Sequence, residues 1–332
     1  MHGNRTATLH RRAFMLALAA CGAPIATARA AERIRTVGML LSLPLNDLQW
    51  TRLPALQRSL AKLGWIEGRT LRYELRSSHG GPAVREAAAR ELVALRPDVI
   101  IANSTPDTAA LLAVTRTIPI IFATAADPVG SGFVASLARP GGNVTGFTNS
   151  QAEMGGKWLQ FLKEAEPALS RVGVLFNPAT VPRDGRFYLA PIEQAAAMFG
   201  VTVAAVPIAD AARIDAAIAA YSGDARGGLI LPPDSFTVAN RLAIVEAAAR
   251  HRVPTIYSLS YFIDAGGLMS YGAELEVRDA EYVDLILKGA KPGDLPVQSP
   301  RKFELLINLK AAQALGLKLP LALLARADRI IE

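Results

Sequence analysis

Asp98-Val99-Ile100-Ile101-Ala102-Asn103-Ser104-Thr105-Pro106-Asp107 is the stretch whose reading decides the fold. A short, continuously apolar run is expected of a parallel strand covered on both faces, whereas a half-exposed strand would alternate. Small hydroxyl residues then precede a proline. Ser and Thr cap helix starts, and Pro fits the first helical turn because it has no N–H to leave unpaired. The stretch therefore reads as one strand–loop–helix unit.

Working outward, the same unit recurs. Apolar runs at 37–41, 119–123, 172–176, 201–206, 227–231 and 254–257 predict further strands, and the strictly alternating 71–75 predicts one with a wetter face. Amphipathic segments lie between them. In 151–165, Met154, Trp158, Phe161, Leu162 and Ala165 recur at helical spacing, and Val238, Leu242, Val245 and Ala249 do the same before Pro254. Alternation of this kind implies α/β architecture with doubly wound parallel sheets. About four units precede Arg139-Pro140-Gly141-Gly142-Asn143-Val144-Thr145-Gly146 and about four follow it. That segment, Ala265-Gly266-Gly267-Leu268-Met269-Ser270-Tyr271-Gly272 and the Pro-punctuated 291–300 are the three candidate crossings between two lobes. The expected division is lobe I from 31–147 plus 273–300 and lobe II from 148–272 plus 301–332, joined by a three-segment hinge.

The chain has 332 residues, 51% hydrophobic and 20% charged, enough for two cored domains and too little charge for disorder. Its N-terminus reads as an export signal spanning 1–30. Arg11-Arg12 precedes an apolar run from Ala13 to Ala20, and Ala28-Arg29-Ala30 offers a cleavage site. Arg11-Arg12-Ala13-Phe14 also fits a twin-arginine signal, and Leu18-Ala19-Ala20-Cys21 looks like a lipobox with Cys21 as the lipidated residue. Cys21 is the sole cysteine, so no disulfide is expected. The formal charge is +7, but four of the 36 bases lie in 1–30, which leaves 32 against 29 acids, or +3. With no basic run remaining, a nucleic-acid partner is not expected.

In open parallel sheets ligands bind beyond the carboxyl ends of the strands. Asn103, Ser104 and Thr105 occupy one such loop, where exposed helix N–H groups offer an anion site for a ligand carboxylate; self-capping by Ser104 or Thr105 is the competing reading. Thr124 and Asp127 follow the 119–123 strand, and Asp127 before Pro128 also suits the start of a turn. Asn177 follows 172–176. Asp234 and Ser235 follow 227–231, with Asp234 either meeting a ligand ammonium or capping the next helix. Phe236, Tyr257 and Tyr261 supply either a stacking wall or core. The four histidines, His2, His10, His79 and His251, are scattered, so no metal is expected. There is no phosphate loop, no nucleophile elbow and no dinucleotide fingerprint, so neither a cofactor nor catalysis is expected.

The residues also resemble a known family. Leu63-Gly64-Trp65-Ile66-Glu67-Gly68-Arg69, Ile118-Pro119-Ile120-Ile121-Phe122, Asp127-Pro128-Val129, the 136–146 and 265–272 segments, Ile286-Leu287-Lys288-Gly289-Ala290-Lys291-Pro292 and Lys302-Phe303-Glu304-Leu305-Leu306-Ile307-Asn308 are similar to the ABC-transporter substrate-binding family that includes tryptophan- and tyrosine-binding proteins. The resemblance runs from about residue 35 to 332. It implies a type I periplasmic-binding-protein fold, a periplasmic or lipid-tethered monomer, and delivery of a small solute to a permease driven by a cytoplasmic ATPase. It also implies an amino acid, aromatic by first guess, or a related organic acid as ligand. Ser104, Thr105 and Thr124 would take its carboxylate and Asp234 its ammonium. Where the family usually carries an Arg-Glu pair after the 254–257 strand, this chain has Ser260 and Tyr261. A solute sensor for a membrane signalling protein, or an exported enzyme on the same fold, are the rival expectations.

Overall fold

The computed structural model describes residues 33–45, 53–149, 151, 153–223, 227–274 and 277–332. The segment read as an export signal, with Cys21, lies outside the described residues, as does 46–52.

The first sheet has the order β2-β1-β3-β4-β5 and is parallel throughout. Its strands are β1 (Arg35–Leu41), β2 (Leu71–Ser77), β3 (Val99–Ala102), β4 (Ile120–Ala125) and β5 (Val144–Thr148). Helices α1 (Leu53–Lys62), α2 (Pro82–Ala94) and α3 (Thr105–Val114) connect the first four strands. The continuous apolar runs make sense here, because successive side chains feed different cores. Val37, Met39, Val99, Ile101 and Ile121 enter one cluster, and Leu40, Ile100, Ile120 and Phe122 enter the other.

The second sheet has the order β12-β11-β10-β9-β8-β6-β7. Its parallel part comprises β6 (Arg171–Phe176), β7 (Thr202–Pro207), β8 (Gly227–Leu231), β9 (Thr255–Tyr257) and β10 (Met269–Ala273). Two C-terminal strands, β11 (Phe303–Asn308) and β12 (Arg329–Ile331), extend it, with β11 antiparallel to β10. One core lies under α4 (Met154–Ala165) and α5 (Arg186–Phe199), and the other under α6 (Ile214–Ala219) and α8 (Arg241–Arg250). The stripe Met154, Trp158, Phe161, Leu162 and Ala165 is buried as its spacing requires.

The helical stripe before Pro254 needs correction. The segment is two helices, α7 (Ser235–Ala239) and α8, broken at Asn240. The break resets the phase, so Ile244, Val245, Ala247 and Ala248 face the core while Leu242 is 64% exposed.

The chain passes between the sheets three times. It leaves β5 for α4, leaves β10 for α10 (Asp279–Leu287), which packs against β3, β4 and β5, and returns to β11. The crossing segments are bonded to one another. Thr148 N donates to Gln298 O at 2.9 Å, Gln298 N to Gly146 O at 2.9 Å, and Glu274 N to Lys302 O at 3.1 Å. Both sheets belong to one body spanning Ile34–Glu332. Among the described residues, no helix is long and apolar enough to cross a membrane.

Candidate functional site

Strand-end loops from both sheets line one cleft, about 720 Å³ including the space open to solvent, within the usual range of roughly 300–1,000 Å³ for ligand sites. The first sheet contributes Asn103, Ser104 and Thr105 after β3, and Thr124 near the end of β4. The second contributes Asp234 and Ser235 after β8, and Tyr261 after β9. These seven residues, far apart in sequence, are brought together because parallel strands all end on the same side of each sheet.

The start of α3 is held by its own side chains. Ser104, in extended backbone, caps it by accepting from Asp107 N at 3.3 Å. Thr105 Oγ1 accepts from Ala126 N at 3.1 Å, and Thr124 Oγ1 donates to Asn103 O at 2.5 Å. Pro106 has no N–H, and that of Asp107 is already bonded, so little donor capacity is left in this first turn.

Beneath the cleft lies Asp107, fully buried. It accepts from Ser42 Oγ at 2.7 Å and Ser78 Oγ at 2.6 Å, and it forms an ion pair with Arg85 Nε at 3.4 Å. Burial pushes its carboxyl above the ordinary value, against the opposing pull of those hydroxyls and the Arg85 charge. One side chain thus ties the ends of β1 and β2 to the start of α3.

Asp234 plays the matching part opposite. It is 4% exposed and caps α7 by accepting from Phe236 N at 2.8 Å. Asn177 N donates to its other oxygen at 2.8 Å, and Thr180 Oγ1 donates to the oxygen that Phe236 N uses. Burial raises its pKa to about 6, and bonds from Thr180, Asn177, Phe236 and Thr237 only partly offset this. The two sequence readings of Asp234, cap and cleft wall, coexist in the same residue.

Four candidates sit elsewhere. Asn177 is buried, and its Oδ1 accepts from Ala179 N at 2.9 Å, which shapes the loop after β6. Phe236 packs against the core beside α8, and Tyr257 is buried and stacked on Phe262 at 4.5 Å. Asp127, in left-handed backbone with φ 45°, pairs with Arg183 at 2.8 Å. Ser260 precedes α9 (Tyr261–Asp264), and its carbonyl accepts from Ile263 N at 2.8 Å.

Sequence reasoning missed Ser42 and Leu43 after β1, Thr180 after β6, Leu259 after β9, and Asn149, which follows β5. The strand-end rule applied to each would have found them; Asn149 escaped because 139–146 read as a crossing. Asn149 Oδ1, Thr148 Oγ1 and Ser258 Oγ are buried without a hydrogen-bond partner. Among the described lining residues of the cleft, Asp234 is the one charged group. A smaller cavity of about 440 Å³ adjoins it at the crossings, shares Thr124 and Asn149 with it, and is lined by Arg278, Arg301, Lys302 and Glu274. Among the described residues, no group of three His, Cys, Asp or Glu side chains is placed to hold a metal.

Comparison with known proteins agrees with this geometry. Residues 50–331 match the family described as ABC transporter substrate binding protein. A tyrosine-binding protein of Clostridioides difficile is 26% identical over 264 residues, covering 79% of this chain and 75% of that protein. A conserved domain protein from Vibrio cholerae superposes with a TM-score of 0.81 at 29% identity, over 90% of this chain and all (100%) of that one. An ABC domain from Streptococcus pneumonia, solved in complex with L-Trp, gives 0.80 at 25% identity over 90% and 100%. Two α/β lobes of mainly parallel strands, a shared cleft and a family match over most of the chain lead to one conclusion: the chain belongs to the ABC transporter substrate-binding protein family.

Proposed function

We propose that this protein is the extracytoplasmic receptor of an ABC importer. It captures an amino acid, aromatic by first expectation, between its lobes and presents the closed form to a permease, without turning the solute over. The observation that carries this reading is the single cleft built from strand ends of both sheets, over a hinge of three mutually bonded segments. Such a hinge lets the lobes rotate while each keeps its own core. The proposed lobes are 31–147 plus 273–300 and 148–272 plus 301–332. The pair Asp127–Arg183 joins them beside the cleft, with both residues in left-handed backbone, at φ 45° and 50°. Strained conformations of this kind concentrate at clamps and switches. The tyrosine-binding and L-Trp-bound relatives support an amino-acid ligand.

The test is a thermal-shift and calorimetric screen of the twenty amino acids, with mass spectrometry of the recovered solute. Saturable binding of one or a few, with a dissociation constant on the order of micromolar, is expected, and the solute should be recovered unchanged. No binding at millimolar concentrations across the panel would overturn the receptor reading, and a chemically altered solute would make the protein an enzyme.

A pH dependence follows from Asp234. Its raised pKa reflects the cost of burying a charge, with no neighbouring charge among the causes; the groups facing it are the Thr180 hydroxyl and the N–H groups of Asn177, Phe236 and Thr237. An acid with a raised folded pKa adds a cost to folding that is absent below its unfolded value and complete above its folded one. A bound cation would offset that cost. Affinity for an ammonium ligand is therefore expected to hold above pH about 6 and to fall below it. At one pH unit below the pKa only about one carboxyl in eleven is ionised, so the loss approaches roughly tenfold. Calorimetry across this range checks it, and a flat profile would remove Asp234 from recognition.

A further inference from the structure

The smaller cavity, of about 440 Å³, adjoins the cleft through Thr124 and Asn149 and is walled by all three crossing segments. Its described lining carries three cations, Arg278, Arg301 and Lys302, and one acid, Glu274. Lys302 is held between Glu304 at 2.7 Å and Glu274 at 3.6 Å. The positive excess of the described wall therefore lies with Arg278 and Arg301. Recesses lined mainly by one sign of charge concentrate ions of the other.

Arg278 is held by the crossings themselves. It directly precedes α10, at the end of the second crossing. Its guanidinium donates to Ser299 O at 3.3 Å and to Gln298 Oε1 at 3.1 Å, both on the third. It also lies 5.2 Å from the centre of the Phe147 ring, on the first. A guanidinium has five N–H donors in a flat fork that matches a carboxylate, so these bonds orient the group without exhausting it. On the same wall, Thr148 Oγ1 and Asn149 Oδ1 are buried with no hydrogen-bond partner among the described residues. Buried polar atoms are ordinarily met, and unmet ones mark where a bound group or water completes a site. A hydroxyl can give its proton to an anion, and the Asn149 amide brings N–H donors beside its oxygen.

We infer that the hinge cavity is the anion subsite of the receptor, taking the carboxylate of an amino acid whose other groups occupy the main cleft. This rests on the receptor reading and refines it. The carboxylate passes Thr124 and Asn149 and meets Arg278 and Arg301, with the Thr148 hydroxyl beside them. The hydroxyls at the start of α3, where the family resemblance places the carboxylate, are neutral, and Thr124 already gives its proton to Asn103 O. Bonds between two charged groups are the stronger kind, so the arginines should dominate. A carboxylate held there also joins the three crossings, so it favours the closed form by as much as it binds that form more tightly.

The experiment screens the twenty L-amino acids by calorimetry at neutral pH and then, for each that binds, its primary amide. The amide keeps the ammonium and the side chain and loses the anion. The unaltered protein should bind the acid at least about tenfold more tightly than the amide. Arg278→Gln, and Arg301→Gln at an exposed position, should each lower that preference by about three- to tenfold. The ratio is the readout because damage to the hinge alone would weaken acid and amide alike. Amides that bind as well as acids, or a preference unchanged in both variants, would overturn the inference and leave the receptor reading intact. Failure of all twenty amino acids to bind would overturn both.

Discussion

Trp158→Ala is expected to lower the free energy of unfolding by about 4–8 kcal/mol, enough to leave the protein barely folded. Trp158 has no exposed surface and sits at the centre of the α4 stripe, between Met154 and Leu162, with its ring 6.1 Å from that of Tyr188. Truncating a buried Trp typically costs about 3–5 kcal/mol in lost burial and residual cavity. A second penalty is added here. The indole Nε1 donates to Tyr271 O on β10 at 2.7 Å, and its loss takes this partner from a part-buried carbonyl, for roughly 1–3 kcal/mol more. Trp158→Phe keeps most of the volume and loses the bond, so it should cost clearly less. Urea unfolding of both variants checks the prediction. A loss under about 2 kcal/mol for the alanine variant would mean that α4 repacks, contrary to the close-packed core described.

Legibility in the sequence followed chemistry. Most strands that read clearly have both faces buried, since apolar content is then continuous, as in Ile100, Ile101 and Phe122; β7 reads as a strand from its Val and Ala run, yet it lies at the sheet edge with exposed and half-exposed residues. Strands β5 and β10 escaped because their role demands other residues. Val144-Thr145-Gly146-Phe147-Thr148 and Met269-Ser270-Tyr271-Gly272-Ala273 each need a glycine where backbones approach closely. A Cβ at Gly146 would run into the Phe122 carbonyl, at a φ of 152° that side chains resist, and one at Gly272 would run into the Ser258 carbonyl. Glycines that read as breakers between lobes are thus contact points within each sheet.

The cleft followed the same logic. Position was legible, because the residue after a parallel strand must lie at the ligand end of its sheet. Orientation was not. Tyr257 and Tyr261 are both aromatic and lie close together at the end of β9, yet Tyr257 points into the core and Tyr261 lines the cleft. Their local sequence is equally apolar, and the packing of Phe262 against Tyr257 decides between them. Asp107 was invisible for a different reason. An acid in the first turn of a helix is ordinarily a solvated partner of the helix dipole. Its burial depends on Ser42, Ser78 and Arg85, residues of three other segments that no local pattern connects.

That network supports the last prediction. Asp107→Ala is expected to cost about 3–5 kcal/mol, because removing one partner of a buried pair leaves the other charge uncompensated. The stranded charge would be Arg85, whose side chain is 13% exposed. Asp107 bonds both Arg85 and Ser42, and a double variant separates its part in stability from its hold on Ser42. Asp107→Ala with Arg85→Leu removes both charges, and replacing a buried pair by apolar groups is often close to neutral, so most of the stability should return. Ser42 would still lack the acceptor that commits its proton, and Ser42 Oγ would no longer be held as an acceptor toward the cleft. Affinity for an ammonium ligand should therefore remain lowered, by about three- to thirtyfold for one lost oriented hydrogen bond. Paired urea unfolding and calorimetry decide it. If stability and affinity recover together in the double variant, Asp107 serves the fold alone. If stability returns while affinity stays low, the buried carboxylate is a positioning residue, acting on the ligand through a serine one bond away.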